Sequence, residues 1–412
     1  MTVVPIPEPE LTPAELLARA VALRPLVREQ QDESEDRGHY GEVLHEEFRR
    51  AGFYRILQPR RFGGYEFDLP TFFKVMLEIA RGDPGTGWCL CLGSGHALPV
   101  AAHWPEHAQA EIFGTDGHFV APHSARGVGV ARPVDGGYLV SGTWDYCSGI
   151  PHSTHFIGTT FVNAADPGVE PAAVAFVVPR AQYTILDDWG GDAVLGMRAS
   201  GSNSARIDDV FVPSHLVVPF DWMSFDPAGG TPGTRLHGNP MYLGRLLGFY
   251  NSEITVPVVG AARAALDEYE QIITTRRTTT APHMLRYQRH DFQQVFGTAL
   301  RLVDSAEVLL IRSAELAMEQ CRRSVEGGSP YTLKEDMRLA GLVHQAGALA
   351  AEAVQILFHS AGSGATKQGQ RLQRYFRDVS TQRTTFAVQP ITTATWAALS
   401  YFDLPGNPFA SL

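Results

Sequence analysis

Apolar residues recur at helical spacing through the first third of the chain, alternate near Phe119, and return to helical spacing after residue 240. Thr12-Pro13 ahead of AELLARAVALRPLV supplies an N-cap, a proline at the first helical position and an apolar stripe. Pro25 interrupts the stripe and is expected to kink or split the helix. The charge run REQQDESEDR (28–37) reads as a solvated helix face. Val43, Leu44 and Phe48 mark a short amphipathic helix that ends near Gly52. Asp68-Leu69-Pro70 opens another, with Phe72, Phe73, Val75, Met76, Leu77, Ile79 and Ala80 inside, and Gly82-Asp83-Pro84-Gly85 closes it. From Gly87 to Ile112 the pattern stays helical, interrupted by glycine and proline.

In the middle third, FVAPHSARGVGVARPV and YLVSGTWDY flank a tight Asp135-Gly136-Gly137 turn. THFIGTTFV, AAVAFVVP, TILDDW and ARIDDVFVP add strands as far as about Val218. This rhythm predicts a small antiparallel barrel or sandwich. A Gly/Pro-rich connector, DPAGGTPGTRLHGNP (226–240), leads to four helical stretches near 241–276, 286–325, 332–361 and 379–402. Antiparallel helices of that length form a bundle. The predicted organisation is mainly α with a central β domain: an N-terminal helical domain (1–118), a β domain (119–225) and a C-terminal helical bundle (226–412).

Composition narrows the function classes. With 34 Lys+Arg against 44 Asp+Glu, the net charge of -10 argues against nucleic acid or an anionic membrane as partner. Cys89, Cys91, Cys147 and Cys321 lack metal-ligand spacing and read as buried thiols of a reducing compartment, so no metal site is expected. The first residues carry no basic, apolar leader pattern, and no apolar run reaches the roughly 18 residues of a membrane span. The expected location is cytoplasmic. No GxGxxG follows a strand and no P-loop occurs, so the chain is expected to hold no nicotinamide nucleotide.

Four segments, in order, carry a family resemblance: ARGDPGTGW (80–88), DGGYLVSGTWDYCSG (135–149), DDWGGDAVLGMRASGSNSARIDDVFVP (187–213) and LQRYFRDVSTQRTTFA (372–387). The chain resembles the acyl-CoA dehydrogenase superfamily, and more closely its two-component (group D) flavin-dependent monooxygenases. The resemblance implies an acyl-CoA dehydrogenase-like fold: an N-terminal helical domain, a β-barrel middle domain and a C-terminal four-helix bundle. It implies an oxygenase component that takes reduced FMN or FAD from a separate NAD(P)H-dependent flavin reductase. That component reacts the flavin with O2 and, through a C4a-(hydro)peroxyflavin, hydroxylates a small aromatic or polycyclic substrate. A homotetramer with flavin at a subunit interface is the implied assembly.

Site residues follow from the same resemblance. Tyr146 would cover the flavin ring, and the Ser148 hydroxyl would reach its N5/O4 edge and help keep water out; the plainer alternative is a core tyrosine and a turn-capping serine. Ser202 and Asn203 would sit near the pyrimidine edge or ribityl chain, or else form an ordinary β-turn, with Trp189 and Met197 beside the ring or in the core. His96 would take a phenolic proton, or is a helix histidine bonded to a backbone carbonyl. Ser124, and second to it His123, would contact substrate. His152 and His359 are further cavity-facing candidates that read equally as core or capping histidines. Arg276, Arg286 and Arg377, with Arg277 and Arg374, are candidates for the flavin phosphate, partly across a subunit interface, or are surface arginines.

Two departures keep other readings open. Arg377-Asp378 is followed by VSTQRTTFA, without the acidic residue that the commonest dehydrogenases use as general base. Glu253, on the first bundle helix, is the remaining base for an acyl-CoA dehydrogenase-like dehydrogenase or oxidase. Thr385 stands where many of the monooxygenases carry a histidine, which also leaves room for a non-redox binding protein on this fold.

Overall fold

Thr12 caps the first helix: its hydroxyl accepts the Glu15 N–H, and Glu15 returns to the Thr12 N–H at 2.9 Å. In the computed structural model, which describes residues 4–114, 116–162, 172–220, 225 and 227–404, this helix is α1 (Pro13–Glu29). It runs through Pro25 without splitting. One lost backbone bond is outweighed by the buried face of Leu16, Ala20 and Val27. The N-terminal helices continue as α2 (Gln31–Arg37), α3 (Glu42–Ala51), α4 (Leu69–Gly82), α5 (Pro84–Gly95), α6 (Ala97–His103) and α7 (Glu106–Phe113). Asp68 and Asp83 cap α4 and α5 by accepting the N–H of Thr71 and Thr86. The stretch from Gly87 to Ile112 is thus three helices, broken first at His96, whose φ/ψ of -74/3 ends α5. The charge run is also more than a solvated face: Gln31 and Ser34 of α2 are buried, and Glu35 faces the C-terminal bundle.

Among the described residues every strand lies between His123 and Pro219: β1 (His123–Val134), β2 (Gly137–Trp144), β3 (His155–Val162), β4 (Ala172–Pro179), β5 (Thr184–Ile185), β6 (Ala205–Pro213) and β7 (Val217–Pro219). The predicted hairpin forms with Val134 opposite Gly137 and Gly136 at φ 77. The strands make one sheet in the order β5-β6-β2-β1-β3-β4-β7, an open ladder with β5 and β7 at its edges instead of a closed barrel or a sandwich. The β1–β3 pair is parallel, against the antiparallel expectation. After β2 the chain turns through 145–154 and passes to the far side of β1, so β3 must run in β1's direction.

The C-terminal helices are α8 (Pro232–His237), α9 (Leu247–Thr275), α10 (His290–Val325), α11 (Leu333–Ala361), α12 (Arg371–Gln382) and α13 (Pro390–Tyr401). Asp226, at the head of the connector, lies outside the described residues. The stretch expected as one helix over 379–402 is two, because Gln389, ahead of Pro390, is extended at φ/ψ -67/134. α9 packs on α4 and α5 as well as on α10, α11 and α12, and so joins the N-terminal helices to the bundle. Its Gly260 allows that approach, since a Cβ there would come 2.5 Å from the Ala80 Cβ of α4. α11 is apolar enough over 18 residues (mean hydropathy 1.2) to resemble a membrane span. It buries Ala346, Ala350, Val354 and Leu357 in the bundle.

Candidate functional site

The segment after β2 is folded back on itself. Trp144 is buried and donates its indole N–H to the Thr159 carbonyl at 2.8 Å, which anchors the end of the strand. Tyr146 then takes a left-handed φ of 57, rare for a residue with a side chain, and its ring is 61% exposed beside Trp189. The Ser148 N–H returns to the Tyr146 carbonyl at 3.0 Å, and Gly149, at φ 89, donates to the carbonyls of Ser200 and Gly201. A Cβ on Gly149 would lie 2.7 Å from the Cys89 carbonyl, so only glycine lets this turn press on α5.

That contact brings together a line of buried groups. The Trp88 indole N–H donates to Ser148 Oγ at 2.9 Å. Ser148 Oγ lies 2.7 Å from Ser202 Oγ, which lies 2.6 Å from Ser200 Oγ. One indole N–H and three hydroxyls bring four hydrogens to three contacts, so one hydrogen is left over. If the serines donate in the order Ser200, Ser202, Ser148, then Ser148 accepts twice and its own hydrogen is free for a ligand. Chains of this kind polarise along their length, so that free hydrogen is a strengthened donor.

A second cluster forms where α5, β1 and α9 meet. His96 donates Nδ1–H to the Ala121 carbonyl at 2.8 Å, which fixes the tautomer because a carbonyl can only accept. Its Nε2 lies 3.3 Å from Glu253 Oε2, and both side chains are almost fully buried. Burial raises the Glu253 pKa, with His96 acting against that rise. One turn back on α9, the Tyr250 hydroxyl lies 3.0 Å from His123 Nδ1, and Thr159 Oγ1 lies 3.1 Å from His123 Nε2. Burial lowers the His123 pKa well below its ordinary value, so this ring is neutral. Gly95 makes room for the carboxylate: a Cβ there would fall 1.9 Å from Glu253 Oε1. Gly95→Ala would gain about 1 kcal/mol of helix propensity. It is nevertheless expected to destabilise the fold by about 1–3 kcal/mol through overpacking. Urea denaturation measures the sign, and a more stable variant would show that Glu253 is not held against this helix.

A third group clamps the bundle to the loop before β6. Asp378 accepts the Met197 N–H at 2.6 Å. Arg377, expected on phosphate, is used otherwise: Nε reaches Gln373, Nη1 the Leu195 carbonyl at 2.8 Å, and Nη2 Glu35 at 2.8 Å. Arg374 is buried against Asp32 and Glu35 of α2. These two arginines therefore tie α12 to α2, and the Arg-Asp motif is a structural clasp here.

The remaining expected residues scatter. Ser124 is buried at the start of β1, opposite Gly158 of β3 and next to His123. Asn203 donates Nδ2–H to the Leu186 carbonyl, which pins its own loop. His152 stacks between Tyr40 and His45 at 4.5 and 4.4 Å and donates to the Tyr40 carbonyl. Burial lowers its pKa to about 3, so it is a neutral ring, and it is held against Tyr40 and His45 of the N-terminal helical domain. His359 is exposed on the last turn of α11, near Phe358 and Phe376, and does not join the His96 cluster. Arg286 bonds the Ala361 carbonyl and lies over Phe292, while Arg276 is exposed at the end of α9. Thr385 lies in the break between α12 and α13. Sequence reasoning missed Trp88 as partner of Ser148, Ser200 as partner of Ser202, and Glu253 as partner of His96; the run of small residues in SGSNS and Gly95 beside His96 were the available signals.

These groups fit a planar polar-edged ring. An exposed aromatic face at Tyr146 adjoins a buried donor line with one uncommitted hydrogen, as an isoalloxazine with its N5/O4 edge requires.

Comparison with known proteins agrees. Residues 17–113 match the family model described as acyl-CoA dehydrogenase, N-terminal domain, and residues 253–390 match acyl-CoA dehydrogenase, C-terminal domain. A pigment production hydroxylase of Rhodococcus sp. is 31% identical over 373 residues, covering 90% of this chain and 92% of its own. The oxygenase component of an FADH2-dependent resorcinol hydroxylase from Rhizobium sp. is 28% identical, covering 81% and 80%. The structure of XiaF from Streptomyces sp., in complex with FADH2 and glycerol, superposes with a TM-score of 0.86 at 25% identity, over 97% of each chain.

Proposed function

This chain belongs to the oxygenase components of two-component flavin-dependent monooxygenases, within the acyl-CoA dehydrogenase superfamily, and from that membership we propose that it hydroxylates a phenol. It is an enzyme that uses reduced flavin to hydroxylate an aromatic substrate. Such a component works with a separate flavin reductase. Bound reduced flavin supplies the two electrons that, with O2, deliver one oxygen atom to the ring and the other to water.

The carrying observation is the Trp88–Ser148–Ser202–Ser200 line beside the exposed Tyr146 ring. Tyr146 covers the flavin face, Ser148 donates to its edge, and Ser202 orients Ser148. Arg276, exposed at the end of α9, and Arg286, which bonds the Ala361 carbonyl, are the arginines that would serve the phosphate of a neighbouring subunit's flavin in a homotetramer. Ser124 and His123 line the substrate side, and the phenolic proton ends on the buried His96, which raises the nucleophilicity of the ring. A cytoplasmic setting, where reductase and nicotinamide nucleotides are at hand, completes the reading. The dehydrogenase alternative lacks the acidic residue that its commonest members carry after the Arg-Asp motif, since VSTQRTTFA follows Arg377-Asp378.

The test is turnover of a panel of simple phenols with a flavin reductase, NADH and O2. Hydroxylated product that depends on all three is expected. Oxygen consumption that yields only hydrogen peroxide with every phenol would sink the phenol assignment.

A further inference from the structure

His96 has no ring nitrogen left for a substrate. Nδ1–H is spent on the Ala121 carbonyl, and Nε2 faces Glu253 Oε2. The other carboxyl oxygen, Glu253 Oε1, is buried and has no hydrogen-bond partner. It occupies the space that the missing side chain of Gly95 leaves open. A buried acceptor without a donor is costly, and the cost is recovered when a ligand brings the donor.

The titratable groups around the pair are uncharged. Cys91 of α5 is neutral, its pKa raised by burial and by Glu253. Tyr250 of α9 is raised likewise, and His123 of β1 is neutral because burial lowers its pKa. The pair therefore faces no other charge among these neighbours, and with Nδ1–H spent on the Ala121 carbonyl the 3.3 Å contact between Nε2 and Oε2 takes one hydrogen between two lone-pair-bearing atoms.

We propose that Glu253 relays the substrate's proton to His96: Oε1 accepts the phenolic hydrogen while Oε2 hands its own proton to Nε2. The substrate O–H and the Oε2–H bonds break, and Oε1–H and Nε2–H bonds form. No electrons change hands. The carboxyl is neutral before and after, and a phenolate beside an imidazolium results. The relay rests on the phenol reading above, but it changes the atom that touches substrate from an imidazole nitrogen to a carboxyl oxygen. It also gives Glu253 a role that neither a dehydrogenase base nor a passive ion pair would have.

Glu253→Gln separates relay from shape. The amide keeps an acceptor for the substrate and an N–H for Nε2, but it cannot release a proton. The probe is para-nitrophenol, whose phenolate is yellow, added to the full chain without flavin at a pH just below the phenol's own pKa. Wild type is expected to bind it as the yellow phenolate, whereas Glu253→Gln and His96→Asn bind it colourless. With reductase, NADH and O2, Glu253→Gln is expected to lose at least about a hundredfold in hydroxylated product while O2 consumption persists as peroxide. A wild type that fails to bind phenolate overturns the relay, as does a Glu253→Gln chain that colours and hydroxylates like wild type. If Glu253→Gln does not fold, the contrast between wild type and His96→Asn decides the same way. Loss of all O2 chemistry in every variant, with the colour pattern intact, would count against the oxygenase reading and leave the relay standing.

Discussion

Arg374→Ala is expected to lower the free energy of unfolding by about 3–5 kcal/mol near pH 8, the cost of leaving buried carboxylates without their cation. Arg374 is 4% exposed and lies against Asp32 and Glu35 of α2. Burial works against its charge, but Asp83, Glu35, Asp32 and Asp378 together hold it protonated. Without it, Asp83 loses the cation that opposes its burial, and Asp378 keeps Arg377. Burial already raises the Asp378 pKa from 3.8 to about 7, with Asp83 and Glu35 adding to the rise. Burial raises Asp83 as well, and Arg374 opposes that rise.

The pH dependence follows from these directions. A carboxyl with a raised folded-state pKa keeps a proton that the unfolded chain has released. Stability therefore falls as pH rises from about 4 to about 7 and is level above that. Removing Arg374 pushes the acids higher still, so the variant should lose least near pH 5 and most near pH 8. Urea titrations followed by tryptophan fluorescence at both pH values would measure this. Equal losses at the two pH values would remove the charge network as the explanation.

Ser148→Ala is expected to cut hydroxylated product per O2 consumed by about a hundredfold, the scale of losing one preorganised donor at a reacting centre, with hydrogen peroxide taking the place of product. Alanine removes the oxygen on which the Trp88 N–H and the Ser202 hydroxyl converge, and with it the one hydrogen the line can offer outward. It also strands the buried Trp88 N–H, at about 1–3 kcal/mol of stability. Ser202→Ala should do much less, because Ser148 still accepts from Trp88 and still donates. A product-to-peroxide ratio that is the same in Ser148→Ala and wild type would end the donor role of this serine. Equal losses for the two variants would show that the direction assigned to the line is wrong.

Much of this site was readable in short windows of chain. The Gly82-Asp83-Pro84-Gly85 stop and the turn after GTWDYCS are local steric matters, and local rules expose them, whereas the break at His96 inside 87–112 emerged only in the fold. The identity of each residue's partner was not so exposed. Arg377 looked like a phosphate ligand because a guanidinium fork suits one, yet Glu35, the Leu195 carbonyl and Gln373 reached it first. His152 looked like a cavity histidine because it follows Ser148, yet two ring stacks hold it against Tyr40 and His45.

The amino-acid pattern was sufficient for the helix–strand–helix order, the helix starts at Thr12 and Asp68, and the β1–β2 turn, since each depends on dihedral preferences and hydrogen bonds within a few residues. Packing alone settled that Pro25 stays inside α1, that β3 lies parallel to β1, and that Glu253 meets His96 and Trp88 meets Ser148. Those outcomes turn on which distant surfaces exclude water together. That is a property of the assembled layers, and no window of neighbouring residues contains it.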